Sequence, residues 1–371
     1  MAARFLYIRQ QTEEFCSALQ KEDYVVQPVV DVSPPKWHLA HTTWFFENFI
    51  LKPFKKNYRE FDKDYCYLFN SYYETVGKRV VRSDRGNLTR PGVDDVYKYR
   101  DYVNNEMAEM LLHGTDKPDE MYHILELGLQ HEQQHHELLI TDTKYILGHN
   151  PLFPALFGNN ASLQAPKNTP QQPEIYVEVA PGIYDIGCQQ QGFCFDNELG
   201  VHKVYLSAFR ILNRLVTNAE YLEFIRAGGY ADFKYWLQEG WAWVNENKIT
   251  APLYWHQING EWYYYTLNGL QPIDANAPVT HVSFYEADAF ARWKGMRLPT
   301  EFEWEVACRR HCPEAPENAN FSDTKSYQPQ PAQDKEWQLW GDCWEWTNSA
   351  YLPYPFYKTA EGALGEYNGK F

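Results

Sequence analysis

The stretch LQHEQQHHELL, residues 129–139, concentrates side chains that bind metal ions and transfer protons. His131 and His135 are four residues apart, so on a helix they lie about 40° apart on one face and can share one ion. By the same arithmetic His136 lies about 140° from His131, which predicts a polar or structurally satisfied histidine on another face. The pattern therefore predicts two ligands of a metal site, and a third ligand is still needed.

The pattern H-E-x-x-H is best known from zinc proteases, in which the glutamate is the general base. Their third ligand usually follows as H-x-x-G-x-x-H, which the residues after His135, HELLITDTKYILGH, do not fit. Glu132 is better interpreted as an acid that orients an imidazole N–H from behind. The segment WHLAHTTWFFE offers His38 and His41 as the missing ligand, because facing helices of a bundle supply ligands to one centre. Three histidines would leave positions open for water, substrate or dioxygen.

A second set of reactive side chains lies in FNSYYETVGKRVVRSDRG. Arg82 and Arg85 are three residues apart, so they converge if the segment is locally helical, and paired guanidiniums suit a carboxylate. Tyr72 and Tyr73 could give a proton or an electron near a metal, or hold a water. Spacing alone favours a structural interpretation: the arginines would lie in a solvated basic loop, and the tyrosines would make ordinary aromatic packing contacts.

The elements that would position these residues are mainly helices in the first 150 residues. RQQTEEFCSALQ, HLAHTTWFFENFIL and residues 121–147 carry apolar residues at helical spacing. SPP at 33–35 starts the second of these helices, with Ser33 as the expected cap. A loop at 78–92 separates helical segments, and four helices connected in this way predict a bundle.

After a linker at 159–175 the sequence changes to short aromatic or β-branched runs bounded by Gly, Pro and Asn. YVEVAPGIYDIG, HKVYLSAFRIL, EWYYYTL and PVTHVSF are expected strands, and TNAEYLEFIRAGG and SFYEADAFARWKG are expected helices, the first capped by Thr217 or Asn218. This predicts a loop-rich α+β domain. Its expected core tryptophans are Trp304, Trp344 and Trp346, and its expected buried acceptors are Glu303 and Glu345.

Composition limits the function classes. The net charge of −15 argues against a nucleic-acid surface. The sequence contains no run of 18 apolar residues, so a membrane span is not expected, and the N-terminal residues do not resemble a secretory signal. Seven scattered cysteines without C-x-x-C spacing are typical of reduced thiols in a cytoplasm, which is the expected location.

The motifs together resemble a known family. RLPTEFEWEVACR and GDCWEWTNS are similar to the formylglycine-generating-enzyme fold, a C-type-lectin-like α+β domain, over about 176–371. WHLAHTTWFFE and LQHEQQHHELLITD resemble a DinB-like four-helix bundle, over about 1–158. In this order the two resemble the ergothioneine sulfoxide synthases. Members usually continue past GEYNGKF with a strand that carries part of the substrate pocket, so the second domain is expected to lack its C-terminal segment.

The resemblance implies a mononuclear non-haem Fe(II) enzyme. Such an enzyme uses dioxygen to join a thiol to C2 of the imidazole of hercynine and oxidises the sulfur to the sulfoxide. The family's metal ligands fall on His41, His131 and His135, and its substrate-holding glutamine falls on Gln134.

FNSYYE resembles the cysteine-using subgroup of that family. By this resemblance Tyr72 and Tyr73 are the proton or redox partners at the iron. The family's R-x-x-R falls on Arg82 and Arg85, as carboxylate clamps for the thiol substrate.

Three alternatives remain beside this expectation. The first is a close variant with the same iron site, namely an ovothiol-type synthase, which would join cysteine to C5 of histidine, or a selenium-using relative. The thiol itself is cysteine or γ-glutamylcysteine. A different class is a DinB-type zinc thiol transferase fused to a lectin-like binding module. A non-catalytic lectin-like protein on a vestigial bundle is the third.

Overall fold

A computed structural model of the chain describes residues 1–158, 173–189, 192–332 and 337–366. The chain forms two compact units, one of Met1–Phe157 with Lys358–Lys370 and the other of Gly158–Tyr357 with Phe371. Most of the expected linker, 159–172, lies outside the described residues. Among the helices of the described part, none is long and apolar enough to cross a membrane.

The first unit is helical. Its helices are α1 (Ala2–Cys16), α2 (Pro35–Phe46), α3 (Lys52–Phe54), α4 (Tyr65–Phe69), α5 (Val93–His113) and α6 (Pro118–Gly148). A π-helical turn, Glu47–Leu51, continues α2 into α3, and 3-10 turns lie at Lys21–Val25, Arg82–Asn87 and Ala363–Glu366. α2 packs against α5 and α6, and α1 contacts all three of them, which confirms the predicted bundle.

The central helix α2 is buried along its whole length. It begins at Pro35, whose fixed φ suits the first helical position. Pro34, not Ser33, is its N-cap, so the expected Ser33 cap was wrong. The backbone N–H of Ser33 instead donates to Asp142 Oδ2 of α6 at 2.8 Å, because a buried N–H must find an acceptor.

Helices α2 and α6 approach each other closely at Gly128. A Cβ at this position would lie 2.8 Å from a ring carbon of Phe45 and 2.8 Å from one of Phe46, which no real side chain could tolerate. The glycine therefore lets the phenylalanine rings pack on the α6 backbone. One turn further along α6, the His131 ring lies 4.8 Å from the Phe45 ring.

The bundle encloses an ion cluster around Glu132. Its carboxylate accepts from Arg9 at 2.7 Å, from Arg100 at 2.6 Å and from Thr12 at 3.1 Å, and it is fully buried. Burial alone would raise the pKa of Glu132, but the charges and hydrogen bonds of Arg100 and Arg9 lower it to about 2. All of these contacts hold Glu132 as an anion that ties α6 to α1 and α5.

The second unit combines small antiparallel sheets with helices. β1 (Tyr176–Val179) pairs with β4 (Phe209–Leu212), and β2 (Gly182–Ile186) pairs with β3 (His202–Leu206). A three-stranded sheet has the order β5 (Trp255–Ile258), β6 (Glu261–Thr266), β7 (Gly269–Pro272). The helices are α7 (Asn218–Arg226), α8 (Gln238–Asn247), α9 (Phe284–Trp293) and α10 (Glu301–His311). The predicted α+β character is confirmed.

Three helices of this unit begin with a capping box, in which a Ser or Thr and the glutamate three residues later satisfy each other's N–H groups. Thr217 caps α7 with Glu220, as predicted, and the same pairs begin α9 and α10: Ser283 with Glu286 and Thr300 with Glu303. Glu303 is also the buried acceptor that was expected, here for Arg297.

Two expectations for this unit were wrong. PVTHVSF is not a strand: only Pro278 forms a bridge, with Thr217, because Ser283 already caps α9. Trp344 and Trp346 are not core residues, since 87% and 50% of their surface is exposed. Trp304 is half-buried and packs against the buried cluster of Cys308, Cys312 and Leu339, and its Nε1–H donates to exposed Glu345 at 3.0 Å.

Replacing Glu132 by Gln is expected to lower the free energy of unfolding by about 3–5 kcal/mol, because buried Arg9 loses its carboxylate partner and Arg100 keeps only Glu13. The folded pKa of Glu132, about 2, lies below its ordinary value of 4.5. Its contribution is therefore present above that ordinary value and is lost as pH falls toward 2. Urea unfolding followed by circular dichroism at several pH values measures both effects.

The matched control is Asp94→Asn, which removes the partner of Lys21 in an exposed ion pair. This change is expected to leave stability nearly unaltered, because exposed pairs contribute little. Equal effects of the two substitutions would contradict the role assigned to the buried cluster.

Candidate metal centre

Three histidines from two helices meet inside the helical unit. His41 of α2 and His131 and His135 of α6 offer ligand nitrogens that all lie within 4.8 Å of one another. His41 and His131 are buried, whereas His135 is half-buried, so the cluster is accessible on the His135 side. The structure thus brings together the three positions to which the family resemblance assigned the metal.

Hydrogen bonds fix which nitrogen of His41 faces the cluster. Its Nδ1 lies 2.7 Å from the carbonyl oxygen of Phe69, which can only accept, so Nδ1 carries the proton and donates. Nε2 is then an acceptor, and it is buried without a hydrogen-bond partner among the described residues. A buried lone pair without a donor is costly unless an ion occupies the space beside it. The residues present therefore fit a bound metal ion.

Burial sets the protonation of the cluster. Desolvation lowers the pKa of His131 to about 3 and the pKa values of His41 and His135 well below the ordinary range. The neighbouring imidazoles lower the pKa values of His41 and His135 further. All three rings are neutral at pH 7, which is the form that binds a metal ion.

Aromatic rings of α2 hold His41 in place. Trp37 stacks on its ring at 4.5 Å with 12° between the planes, and Trp44 stacks at 5.5 Å with 16°. The three residues stand at i, i+4 and i+7, the spacing of one helix face. Both tryptophans therefore project from α2 on the same side as His41.

Arg85 lies behind this stack. Its guanidinium carbon is 3.4 Å from the centre of the Trp37 ring, a cation–π contact. Ser33 and Ser71 accept from its Nη1 and Nη2 at 2.8 and 3.0 Å, and Nε has no partner among the described residues. Burial lowers the pKa of Arg85 from its ordinary value, which reflects a cation held without a carboxylate.

Arg82 is not brought to the same place. Its side chain is exposed, and its Nη2 donates to the carbonyl oxygen of Asp31 at 2.5 Å. The segment is a 3-10 turn, as local convergence would need, but only Arg85 turns inward. The second arginine of the expected clamp therefore has another partner here.

The Tyr72–Tyr73 pair lies beside the stack. Tyr73 is buried, with its ring 5.3 Å from Trp44, and Tyr72 stacks on Tyr73 at 4.8 Å. Burial raises the pKa of Tyr72 to about 12, against smaller opposing effects from Tyr73 and Arg85. The Tyr72 phenol therefore remains protonated at neutral pH.

Two side chains that sequence reasoning missed hold this tyrosine segment. Buried Asn70 accepts from the backbone N–H of Tyr73 at 3.2 Å and donates to its carbonyl at 3.0 Å. Glu366, from the C-terminal part of the same unit, accepts from the N–H groups of Glu74 and Thr75 at 2.5 and 3.2 Å. An Asn directly after a short helix was a usable signal, but Glu366 has none in the local sequence.

The remaining candidates on α6 divide by face. Gln134 is exposed and points about 100° away from half-buried His135 around the helix axis. His136 is buried on the other side, 6.0 Å from the Phe15 ring, which agrees with the helical arithmetic. The expectation that Glu132 orients an imidazole N–H was wrong, because both of its oxygens serve the arginine cluster.

A different side chain stands behind the cluster. His38 Nδ1 lies 3.0 Å from His135 Nδ1, and its Nε2 lies 2.9 Å from Asp142 Oδ2. His38 was one of two candidates for the third ligand. Its two ring nitrogens are both engaged away from the metal-facing atoms, so it supports His135 instead.

Comparison with known proteins places the chain. Residues 162–367 match the model of the sulfatase-modifying factor enzyme 1-like domain. The chain belongs to this family. Residues 4–139 match the DinB superfamily, so a helical DinB domain precedes the α+β domain, as the resemblance implied.

Curated relatives match between 40% and 74% of the chain. The chain is 31% identical to a protein of Mycolicibacterium smegmatis named hercynine oxygenase, over 74% of this chain and 66% of that protein. Its namesake in Mycobacterium tuberculosis is 32% identical, over 62% and 58%. The formylglycine-generating enzyme of Streptomyces coelicolor is 33% identical over 40% and 51%. The chain thus spans less than two thirds of the length of these relatives.

Replacing His135 by Ala is expected to abolish tight binding of one divalent ion per chain, because a ligand nitrogen is removed from the cluster. The neighbouring substitution His136→Ala is the matched control and is expected to retain the ion, since His136 faces Phe15. Metal content after anaerobic loading with Fe(II) or Co(II) and gel filtration is the measurement. Equal metal content in the two variants would count against this centre.

Proposed function

We propose that the chain is an Fe(II)- and dioxygen-dependent sulfoxide synthase that joins cysteine to C2 of the hercynine imidazole. The observation that carries the proposal is the cluster of His41, His131 and His135 in a DinB-type unit. Relatives named hercynine oxygenase support the substrate and the use of oxygen. The reaction balances, since one oxygen atom enters the sulfoxide and the other leaves as water with the hydrogens lost from the thiol and the imidazole carbon.

The three neutral imidazoles would hold Fe(II) and leave its remaining positions to substrates. Iron bound there would supply the one-electron chemistry that dioxygen requires. The protein's contribution is then orientation, because a thiol, an imidazole and dioxygen must meet at one centre. By the family resemblance, the amide of exposed Gln134 would contact the hercynine ring.

Arg85 is the best-supported group for the carboxylate of the thiol substrate. Its orientation is fixed by Trp37, Ser33 and Ser71, so little side-chain freedom is lost when a carboxylate binds. Its Nε–H still lacks a partner among the described residues. Arg82 completes a clamp only if it leaves Asp31, whose carbonyl it now contacts.

Tyr72 and Tyr73 are proposed as proton donors at the iron. Burial holds the Tyr72 phenol in its protonated form, and Asn70 fixes the backbone of Tyr73. A rigid, protonated phenol can deliver its proton to oxygen during the reaction without a large motion. All seven cysteines are free thiols, which supports a reducing compartment such as the cytoplasm.

Anaerobic loading of the full chain with Fe(II), followed by hercynine, cysteine and air-saturated buffer, is expected to consume oxygen and give a C2-linked sulfoxide. Oxygen uptake and mass spectrometry with NMR of the product measure this. γ-Glutamylcysteine in place of cysteine, compared by kcat/KM, identifies the thiol, and histidine in place of hercynine tests for C5 linkage. Tight zinc with no oxygen consumption at full iron loading would favour the zinc thiol transferase instead.

Replacing Arg85 by Lys is expected to raise KM for the thiol by about tenfold or more with a smaller change in kcat. Lysine cannot reproduce the fixed fork of donors that a carboxylate accepts. Arg82→Lys is the matched control, and its exposed side chain predicts a smaller rise. A thiol KM that responds only to the Arg82 substitution would contradict this assignment.

A further inference from the structure

A chain of three side chains runs from His135 of the metal cluster through α2 and back to α6. His135 Nδ1 contacts His38 Nδ1 at 3.0 Å, and His38 Nε2 contacts Asp142 Oδ2 at 2.9 Å. His38 and Asp142 are both buried, with 2% and 7% of their surface exposed. The three side chains therefore form a hydrogen-bonded relay. The role of Asp142 as donor or acceptor determines which ring nitrogens of the two histidines carry protons.

The direction of the relay is set at Asp142. Its Oδ2 already accepts the backbone N–H of Ser33 at 2.8 Å, as an ionised carboxylate does. The Nε2 of His38 must then carry the proton and donate. In a neutral His38 ring Nδ1 is the acceptor, so His135 Nδ1 must be the donor. His135 is thereby held in the tautomer whose Nε2 lone pair is available to a metal.

We propose that His38 is a positioning residue, which together with Asp142 selects the tautomer of His135 that binds the metal. The inference rests on the proposed metal centre but not on the reaction it performs. It also accounts for a difference between the two halves of the site. A backbone carbonyl, that of Phe69, performs the same selection for His41, whereas α6 requires a side-chain relay.

A carboxylate and a second imidazole behind a ligand do more than fix a ring. The charge of Asp142 increases the electron density on His38 Nδ1, and that in turn strengthens its hold on the His135 N–H. The ligand nitrogen Nε2 becomes more basic, which favours metal binding. The inference therefore predicts an effect on metal affinity that no packing role would reproduce.

Two substitutions at His38 separate positioning from packing. In Asn the side-chain oxygen stands where Nδ1 was, so His38→Asn keeps an acceptor for His135. In Gln the polar atoms stand near the former Nε2, so His38→Gln keeps a group facing Asp142 and loses the acceptor. Affinity for Co(II) is measured on the full chain under anaerobic conditions by competition with a chromogenic chelator. It is expected to fall less for Asn, which keeps the acceptor and loses only the contact with Asp142, than for Gln. For Gln it is expected to fall about tenfold or more.

Equal losses in the two variants, or no loss in either, would overturn the proposal. Thermal unfolding of the metal-free variants reports whether each one folds. The visible Co(II) spectrum adds a second readout, because it responds to a change of ligand nitrogen. Loss of oxygen consumption with affinity and spectrum intact would instead speak against the proposed reaction and leave the relay standing.

A second measurement needs no substitution. In metal-free protein labelled with ¹⁵N-histidine, long-range ¹H–¹⁵N correlation spectra distinguish the two imidazole tautomers. The expected result is a proton on Nε2 of His38 and on Nδ1 of His135. A proton on Nε2 of His135, or a doubly protonated His38 at neutral pH, would overturn the proposal.

Discussion

The rotation of α6 about its own axis depends on the carboxylate of Glu132. Successive residues of a helix point about 100° apart, so fixing one side chain fixes its neighbours. Because Glu132 must face Arg9 and Arg100 between α1 and α5, His131 on one side of it is turned toward α2. A rotation that freed His131 from this face would leave buried Arg9 without its carboxylate partner and Arg100 with Glu13 alone, which is strongly unfavourable. The acid of the H-E-x-x-H pattern thus acts on the site through the fold, not through chemistry.

The partner helix α2 fixes its ligand differently. It has no exposed face, and its position is defined by ring packing and by the close contact at Gly128. Trp37 and Trp44 enclose the His41 ring, while the Phe69 carbonyl selects its tautomer. Ion pairs therefore orient α6, whereas ring packing positions α2. The cluster is rigid because the two constraints act on different helices and meet at the histidines.

Periodicity predicted much of this arrangement. The 3.6-residue repeat placed His131 and His135 together and His136 apart. The motifs, together with the change from helical to strand-like patterning, predicted both domains. Residue spacing could not choose between His38 and His41, which are only three residues apart on α2. The choice depends on which nitrogen of each ring already has a partner, and those partners, Asp142 and Phe69, are distant in sequence.

The errors have the same origin. Ser33 looked like a cap, but its N–H is used by a carboxylate more than a hundred residues away. Trp344 and Trp346 looked like core because large aromatic residues usually are, and only tertiary structure shows them exposed. Arg82 and Arg85 lie in the same 3-10 turn, but the contact with Trp37 is made by Arg85. Local sequence predicts elements, whereas the partner of each polar group is a property of the whole fold.

The bond between Glu366 and the tyrosine segment spans 292 positions of the chain. Contacts of such long range form late, because the ends of a very long loop must first be brought together. While the chain is being synthesised, the bundle can assemble its helices and its three histidines long before Glu366 exists. The segment bearing Tyr72 and Tyr73 receives its last two backbone hydrogen bonds only after the second unit has been made. Completion of the tyrosine side of the centre is thereby coupled to synthesis of nearly the entire described chain, while the metal side is not.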